Sequence, residues 1–202
     1  MVFIADKYKY FRGIGNIIII DMRYKNNNLQ ILTSTAELDD VDNIMNIESY
    51  AFGSHHWSQD LFINEIKNKN SFYLVAKSIN DYNKTIGYIG YWRIIDEGHI
   101  TTLAVDVDYR RNHIADILLY NIIDNAYTKK IKWLTLEVRA SNKAALNLYK
   151  KYNFNQISIR KKYYQDNNED ALILWTDNLS SIAFKKNLKD QYLSLLKYYE
   201  LF

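Results

Sequence analysis

Residues 134–149, which read LTLEVRASNKAALNLY, organise the rest of this chain. The apolar residues at their start are typical of a buried β-strand, which we predict over residues 132–138. A short polar turn follows, and apolar residues then recur at helical spacing, which predicts a helix over residues 142–152. Two proton-carrying side chains therefore lie at defined places, Glu137 near the end of the strand and Tyr149 one helix further on.

Alternating and helical patterns in the flanking sequence predict further elements. The predicted strands cover residues 16–24, 29–34, 71–77, 85–94, 97–105, 154–163 and 171–175. The predicted helices cover residues 39–50, 58–68, 114–129 and 180–202. Short turns in the middle of the chain indicate an antiparallel meander, and the strand–helix–strand unit after it indicates a parallel pair. The sequence thus predicts an α/β (α+β) fold with a mixed, mostly antiparallel sheet.

On this pattern the chain divides into three parts. We predict an N-terminal extension over residues 1–28, a main domain over residues 29–178 and a C-terminal amphipathic helix over residues 179–202. The apolar stripe of that helix consists of Phe184, Leu188, Tyr192, Leu195 and Tyr199. Such a stripe either packs on the core or binds a partner, and we favour packing.

The composition of the 202 residues excludes several classes of protein. Hydrophobic residues make up 48% of the chain, enough for a packed core, and the absence of cysteine excludes disulfides, thiolate catalysis and cysteine-based zinc sites. The net charge of +3 agrees with anionic ligands but does not require nucleic acid. The longest apolar run, residues 17–20, is far below the ~20 residues of a membrane span. We expect a monomer or weak dimer with no metal, no membrane contact and no direct nucleic-acid contact.

Proline is also absent, while asparagine, isoleucine, lysine and tyrosine are abundant. This bias indicates A- and T-rich codons, as in a reduced bacterial or organellar genome. The N-terminus has neither the apolar core of a secretory signal nor the composition of a transit peptide. We therefore expect a soluble protein of the cytoplasm, or of the plastid stroma if the gene is organellar.

A strand that runs through a turn into a helix can cradle an anion, because the first N–H groups of the helix have no partner within it. The strand of this unit carries Leu103, Ala104 and Val105. The candidate anion-binding residues after it are Arg110, Arg111, Asn112, His113, Ile114 and Ala115. The alternative interpretation is an ordinary strand-to-helix connection with two solvated arginines.

Three polar side chains of the organising stretch each allow two interpretations. Glu137 is a general base whose pKa is raised by partial burial, or it forms a salt bridge with Arg139 or a lysine. Asn142 suits the N-cap of the following helix, and its side chain can also bond an amide of a ligand. Tyr149 either packs in the core or, if it faces the same cleft as Glu137, donates a proton to a leaving thiolate.

Taken together, these pieces resemble the GNAT acetyltransferases, and among them the ribosomal-protein-alanine N-acetyltransferase (RimI) group. Residues 136–142 read LEVRASN, residues 145–149 read ALNLY and residues 160–164 read RKKYY, a combination fairly specific to that group. The likeness covers about residues 32–175 and is weaker before residue 98. It implies helices on both faces of a sheet whose central parallel strands splay apart to hold acetyl-CoA.

The resemblance implies transfer of an acetyl group from acetyl-CoA to the α-amino group of an N-terminal alanine, classically on a small-subunit ribosomal protein. Glu137 matches the family's general base, and Tyr149 matches the general acid that protonates the CoA thiolate. Leu103 and Val105 match the positions whose backbone pairs with the pantetheine arm of the cofactor. Residues 110–115 match the pyrophosphate loop, and Asn142 matches an asparagine that contacts the cofactor.

The chain departs from the family pattern at three positions. His113 replaces a glycine whose missing side chain lets the backbone approach the phosphates. Asp116 places a negative charge in the first helical turn, where we expect it to oppose a bound pyrophosphate by ~1 kcal/mol. His56 replaces the proline of a substrate-side Pro-Trp-Ser loop.

Three functions remain open at this point. The leading one is acetylation of a protein N-terminal alanine, and the second keeps acetyl-CoA but transfers to a lysine or a small amine. The third is a non-catalytic binding domain whose cofactor loop no longer binds acetyl-CoA. The loop of residues 51–57, which contains His55 and His56, and the turn at Tyr163 and Tyr164 would shape the acceptor slot and so decide between the first two.

Overall fold

The computed structural model describes residues 20–24 and 29–201, which form one mixed sheet flanked by helices. In chain order the strands are β1 (Ile20–Tyr24), β2 (Gln30–Thr35), β3 (Ser71–Ser78), β4 (Lys84–Ile94), β5 (Glu97–Val105), β6 (Trp133–Arg139), β7 (Phe154–Tyr164), β8 (Glu169–Thr176) and β9 (Tyr199–Leu201). The helices are α1 (Val41–Phe52), α2 (Gln59–Lys67), α3 (Ile114–Thr128), α4 (Lys143–Lys151) and α5 (Ile182–Leu195). The strand order across the sheet is β7-β8-β6-β5-β4-β3-β2-β1-β9.

The pairing of these strands confirms the predicted mixed sheet. Among the described strands, β5 and β6 form the parallel pair, and the other neighbouring strands pair antiparallel. A parallel pair needs a long crossover, and α3 provides it: the helix lies between β5 and β6 in the chain and packs against β3, β4 and β5. β3, β4 and β5 form the predicted meander.

Strand β3 shows that the sheet is covered on both faces. Leu74 and Ala76 belong to the core beneath α3 and α5, whereas Tyr73 and Val75 belong to the core beneath α1 and α2. Successive side chains of a strand point to opposite faces, so this alternation places one helical layer on each side. The predicted helices on both faces are thus confirmed.

The parallel pair opens along its length. β5 and β6 pair through residues 97–99 and 133–135, and no further pairing joins these two described strands although both continue for several residues. The paired end is closely packed, because a Cβ atom on Gly98 would lie 2.5 Å from Cδ2 of Leu134 and would force that side chain to move. The predicted splay of the central strands is therefore confirmed.

The two ends of the chain differ from the prediction. Of the predicted strand over residues 16–24, β1 is observed, and residues 16–19 lie outside the described residues. The predicted helix over residues 180–202 is wrong at its end, because α5 stops at Leu195 and β9 pairs with β1. Tyr199 is buried in β9, as it would also be on the apolar face of a helix. Its spacing in the sequence therefore did not distinguish a strand from a helix.

Elsewhere each predicted element is present, with ends within two residues of the predicted ones. α1 begins at Val41 instead of residue 39, because Leu38–Asp40 forms a turn of 3-10 helix before it. Asp40 is the N-cap of α1, and Ser58 accepts a hydrogen bond from the Leu61 N–H as the cap of α2. No helix within the described ranges combines the length and the apolar character that crossing a membrane requires.

Candidate active site

Glu137 lies on β6 beyond the point where the parallel strands separate. Its neighbours Leu136 and Val138 point into the core beneath α3 and α4, so Glu137 faces the side of α1 and α2. Its side chain keeps 33% of its surface accessible, and its Oε1 lies 3.2 Å from Nη1 of Arg160. Glu137 therefore forms a salt bridge, but its partner is Arg160, and the predicted partners, Arg139 or a lysine, are wrong. The pairing of β6 with β8 and of β8 with β7 brings Arg160 beside Glu137.

Tyr149 lies on α4, on the other face of the sheet from Glu137. It is 7% exposed and belongs to the same core as the two apolar neighbours of Glu137. Its ring centroid lies 5.4 Å from that of Phe154. Burial, with a smaller contribution from Tyr164, raises the pKa of Tyr149 above its ordinary value. The phenol is therefore protonated at neutral pH, which is the state that a general acid needs.

The start of α4 is fixed by two polar side chains. Oδ1 of Asn142 accepts a hydrogen bond from the Ala145 N–H at 3.1 Å, which confirms the predicted N-cap. The Ser141 N–H donates to Oε1 of Glu169 at 2.6 Å, and hydrogen bonding from Ser141 lowers the pKa of Glu169 from 4.5 to about 2. Strand periodicity did not single out Glu169, because its role depends on β8 lying beside β6.

Asp166, in the turn between β7 and β8, joins two loops. Its Oδ2 lies 3.0 Å from Nη2 of Arg139 and 3.7 Å from Nε2 of His55. The guanidinium carbon of Arg139 lies 3.8 Å from the ring centroid of Tyr164. The two loops that the sequence assigned to the acceptor slot therefore meet at Asp166, a residue that the sequence analysis missed.

Glu48 of α1 is a buried carboxylate, only 2% exposed. It accepts hydrogen bonds from the Trp57 N–H at 3.0 Å and from the Tyr88 hydroxyl. Burial raises the pKa of Glu48 from 4.5 to about 6, while the Trp57 hydrogen bond and the charge of His56 act in the opposite direction. Glu48 thereby anchors the loop between α1 and α2. The sequence analysis missed it, because a glutamate at this helical spacing looks like a surface residue.

The free edge of β5 faces the opening between the strands. Residues 100–105 pair with β4 on one side, and on the other side β6 has already diverged. Leu103 and Val105 are partly buried against the core of α3, and Ala104 is buried on the face of α1. An unpaired strand edge binds an extended ligand through its backbone groups, as an added strand does. This geometry suits a pantetheine arm, which carries two amides.

His113 is the N-cap residue of α3 and has a left-handed backbone, with φ 54° and ψ 20°. Glycine adopts this conformation readily, and histidine is among the other residues enriched there. This explains how the chain tolerates the loss of the family's glycine. Ile114 is buried and Ala115 partly buried. The first N–H groups of α3 have no partner within the helix, so this end suits a phosphate.

The remaining residues of this loop are placed around the helix end. Nε of Arg110 donates to the carbonyl oxygen of Val105 at 3.2 Å, so its side chain folds back along β5. Nδ2 of Asn112 donates to the carbonyl oxygen of Tyr109 at 3.1 Å. Arg111 is exposed and has a positive φ of 67°. Both arginines are thus exposed, and the Arg110 side chain bonds back to β5.

Asp116 has two cationic or ionisable neighbours. Its Oδ1 lies 3.0 Å from Nζ of Lys151, and its Oδ2 lies 3.3 Å from Nδ1 of His113. The Tyr152 hydroxyl donates to its backbone carbonyl oxygen at 3.0 Å. The carboxylate thus ties the start of α3 to the end of α4. These two neighbours offset part of the negative charge of Asp116, and its expected opposition to a bound pyrophosphate stays a prediction.

Comparisons with known proteins agree with this geometry. Residues 38–154 match the acetyltransferase (GNAT) family. The putative [ribosomal protein bS18]-alanine N-acetyltransferase of Bacillus subtilis (strain 168) is 38% identical over 139 residues, which cover 68% of this chain and 89% of that protein. The [ribosomal protein bS18]-alanine N-acetyltransferase of Escherichia coli (strain K12) is 34% identical over 143 residues, which cover 70% of this chain and 93% of that protein.

A solved structure gives the same result in three dimensions. The crystal structure of the ribosomal-protein-S18-alanine N-acetyltransferase from Escherichia coli matches with a TM-score of 0.65 and 30% identity, covering 72% of this chain and 92% of that chain. The family match spans more than half of the 202 residues. This chain therefore belongs to the GNAT acetyltransferase family and is an acetyl-CoA-dependent N-acetyltransferase.

Proposed function

We propose that this enzyme acetylates the α-amino group of a protein N-terminus, and that an N-terminal alanine of a small-subunit ribosomal protein is the acceptor to test first. The observation that carries the proposal is that Glu137 and Tyr149 lie on opposite faces of the splayed strands. Because β5 and β6 have separated at this level, a thioester lying in the gap between them would have the base on one side, toward the incoming amine, and the acid on the other, toward the departing thiolate. The relatives named as bS18-alanine N-acetyltransferases support this choice of acceptor.

In the proposed reaction Glu137 takes a proton from the acceptor ammonium, directly or through a water molecule. The freed amine nitrogen then attacks the thioester carbonyl carbon of acetyl-CoA, so that a C–N bond forms and the C–S bond breaks. Tyr149 donates its phenolic proton to the CoA sulfur and is reprotonated from solvent. After the attack the nitrogen still carries one proton too many, and this second proton passes to solvent as the C–S bond breaks. The first proton leaves through Glu137, so the products are the N-acetylated chain, CoA and one net proton.

The proposed cofactor site relies mainly on backbone groups. The pantetheine arm lies along the free edge of β5 at Leu103 and Val105, with Ala104 between them. The N–H groups at the start of α3 hold the pyrophosphate, with Arg111 as an exposed cation beside them. Asn142 contacts the cofactor from the start of α4. Backbone donors at a helix end explain why one missing glycine does not abolish such a site.

The proposed acceptor slot lies on the face of Glu137, between the α1–α2 loop and the β7–β8 turn. Glu48 fixes the first of these through the Trp57 N–H, and Asp166 holds the second against His55. Tyr164 lies at the same border of the slot, because its ring centroid is 3.8 Å from the guanidinium carbon of Arg139, two residues beyond Glu137 on β6. The acceptor amine would therefore arrive beside an aromatic ring and within reach of the base.

The test begins with a calorimetric titration of the full chain with acetyl-CoA, for which we expect micromolar binding. Acetyl transfer is then compared on three acceptors: a ribosomal-protein peptide beginning with alanine, the same peptide blocked at its N-terminus and carrying an internal lysine, and spermidine. We expect transfer to the free α-amino group, located by mass spectrometry. Preferred transfer to the lysine or to spermidine would replace the proposed acceptor, and no binding of acetyl-CoA at millimolar concentration would overturn the proposed site.

A further inference from the structure

We propose that the C-terminal strand β9 positions the pyrophosphate loop, and that Tyr198 and Tyr199 are positioning residues for acetyl-CoA. The inference rests on the proposed assignment of residues 110–115 to the CoA pyrophosphate. Both tyrosines lie beyond the segment that matches the family, which ends at residue 154. The appended end of the chain is thus made part of the cofactor site.

The first observation is the contact of Tyr199 with the loop. Tyr199 is 1% exposed, and its hydroxyl donates a hydrogen bond to the backbone carbonyl oxygen of Asn112. Its ring centroid lies 5.1 Å from that of Tyr24, with which it pairs between β9 and β1. Asn112 directly precedes the N-cap residue of α3. A residue of β9 therefore holds the peptide that leads into the proposed phosphate-binding turn.

The second observation is the contact of Tyr198 with His113. The Tyr198 ring stacks on the imidazole, with centroids 4.0 Å apart and planes inclined by 22°. Tyr24 approaches the same imidazole with its ring centroid 6.4 Å away, and the Asp116 carboxylate lies 3.3 Å from its Nδ1. The side chain that replaces the family's glycine is thus enclosed by the ring of Tyr24 from β1, the ring of Tyr198 from the turn before β9, and a carboxylate of α3.

These contacts offset the conformational cost of having a residue other than glycine at position 113. A left-handed backbone is less favourable for histidine than for glycine, and such a conformation persists where the surrounding structure enforces it. The stack on Tyr198 constrains the His113 side chain, and the hydrogen bond from Tyr199 constrains the preceding carbonyl group. The loop can then present its N–H groups to a phosphate in a fixed arrangement.

The test uses two variants of the full chain, Tyr199→Phe and Tyr198→Leu. For each we expect about fivefold weaker acetyl-CoA binding by calorimetry and a matching rise in the KM for acetyl-CoA. The KM for S-acetyl-pantetheine should be unchanged, because this donor lacks the pyrophosphate, and so should the acceptor KM. Tyr192→Phe is the matched control, since it removes a hydroxyl from the same C-terminal segment at a position packed 5.3 Å from Tyr120.

A double-mutant cycle tests whether Tyr198 acts through His113. In a His113→Gly background we expect Tyr198→Leu to change acetyl-CoA binding less than twofold, because the stack is already gone and glycine adopts the left-handed backbone unaided. Unchanged acetyl-CoA binding in both tyrosine variants would overturn the inference, as would equal weakening for both donors. Absence of acetyl-CoA binding by the wild-type chain would instead overturn the proposed function, so the two failures are distinguishable.

Discussion

At the β7–β8 border of the proposed acceptor slot, partly exposed charged groups hold the structure: Asp166 pairs with Arg139, and Glu137 pairs with Arg160. The opposite border, the α1–α2 loop, is anchored by the buried Glu48. On the cofactor side, the α3 loop is held by buried contacts such as that of Tyr199. Exposed ion pairs contribute little to stability individually and are screened by salt. Buried contacts are screened much less. We infer that the β7–β8 border of the proposed acceptor slot is adaptable and that the proposed cofactor loop is rigid, so substitutions in the two places should change different kinetic constants.

Glu137→Gln is expected to have the largest effect. We expect kcat near neutral pH to fall about a thousandfold, because the amide cannot take the proton, while the Kd for acetyl-CoA stays the same. The deficit should shrink as pH rises, since more of the acceptor is then free amine. Glu97→Gln is the matched control, because it removes a carboxylate that lies 3.2 Å from His99 at the other end of β5. Equal turnover by Glu137→Gln and the wild type would remove Glu137 from the mechanism.

Tyr149→Phe removes the proposed acid with little change in shape. We expect kcat to fall about a hundredfold, because the thiolate must then leave without a proton donor, and the two KM values to change little. Tyr152→Phe serves as the control on the same helix end, since it loses a hydrogen bond to the Asp116 carbonyl oxygen and should lower stability without a comparable loss of kcat. Comparable kcat losses in the two variants would assign Tyr149 a packing role only.

Glu48 makes a prediction about stability and pH. Its pKa of about 6 in the folded chain lies above the ordinary value of 4.5, so the folded state binds this proton more tightly than the unfolded state. The resulting stabilisation is present below pH 4.5 and is lost as pH rises through 6, which amounts to about 2 kcal/mol. We therefore expect urea unfolding to show that the stability of the wild type relative to Glu48→Gln falls by this amount between acidic and neutral pH. Parallel pH profiles would show that Glu48 does not titrate in this range.

Asp166→Asn should have the smallest effect, because it weakens one exposed ion-pair cluster. We expect the KM for the acceptor peptide to rise about threefold, and less at ~0.5 M salt, with acetyl-CoA binding unchanged. Asp170→Asn is the control, since Asp170 pairs with Lys161 at 2.7 Å in the same β7–β8 hairpin. If acetyl-CoA binding weakened by the same factor as the acceptor KM rose, the inference that the acceptor slot and the cofactor loop respond independently would be wrong.

Most of the fold followed from local pattern, and particular elements show why. β5 has the predicted bounds because alternation over nine residues is a strong signal, and α4 begins after Asn142 because that residue caps it. β9 was missed because three residues carry too little periodicity to separate strand from helix. Its conformation depends on an open edge of β1, a strand far away in the chain.

By itself, the sequence determined the order of helices and strands, the positions of Glu137 and Tyr149, and the resemblance to an acetyltransferase, because these depend on short-range periodicity and on residue type. Only the tertiary structure decided that Arg160 pairs with Glu137, that Glu48 is buried, and that β9 reaches the α3 loop. The reason is that strand register and burial are set by residues distant in the chain, and local pattern does not contain that information.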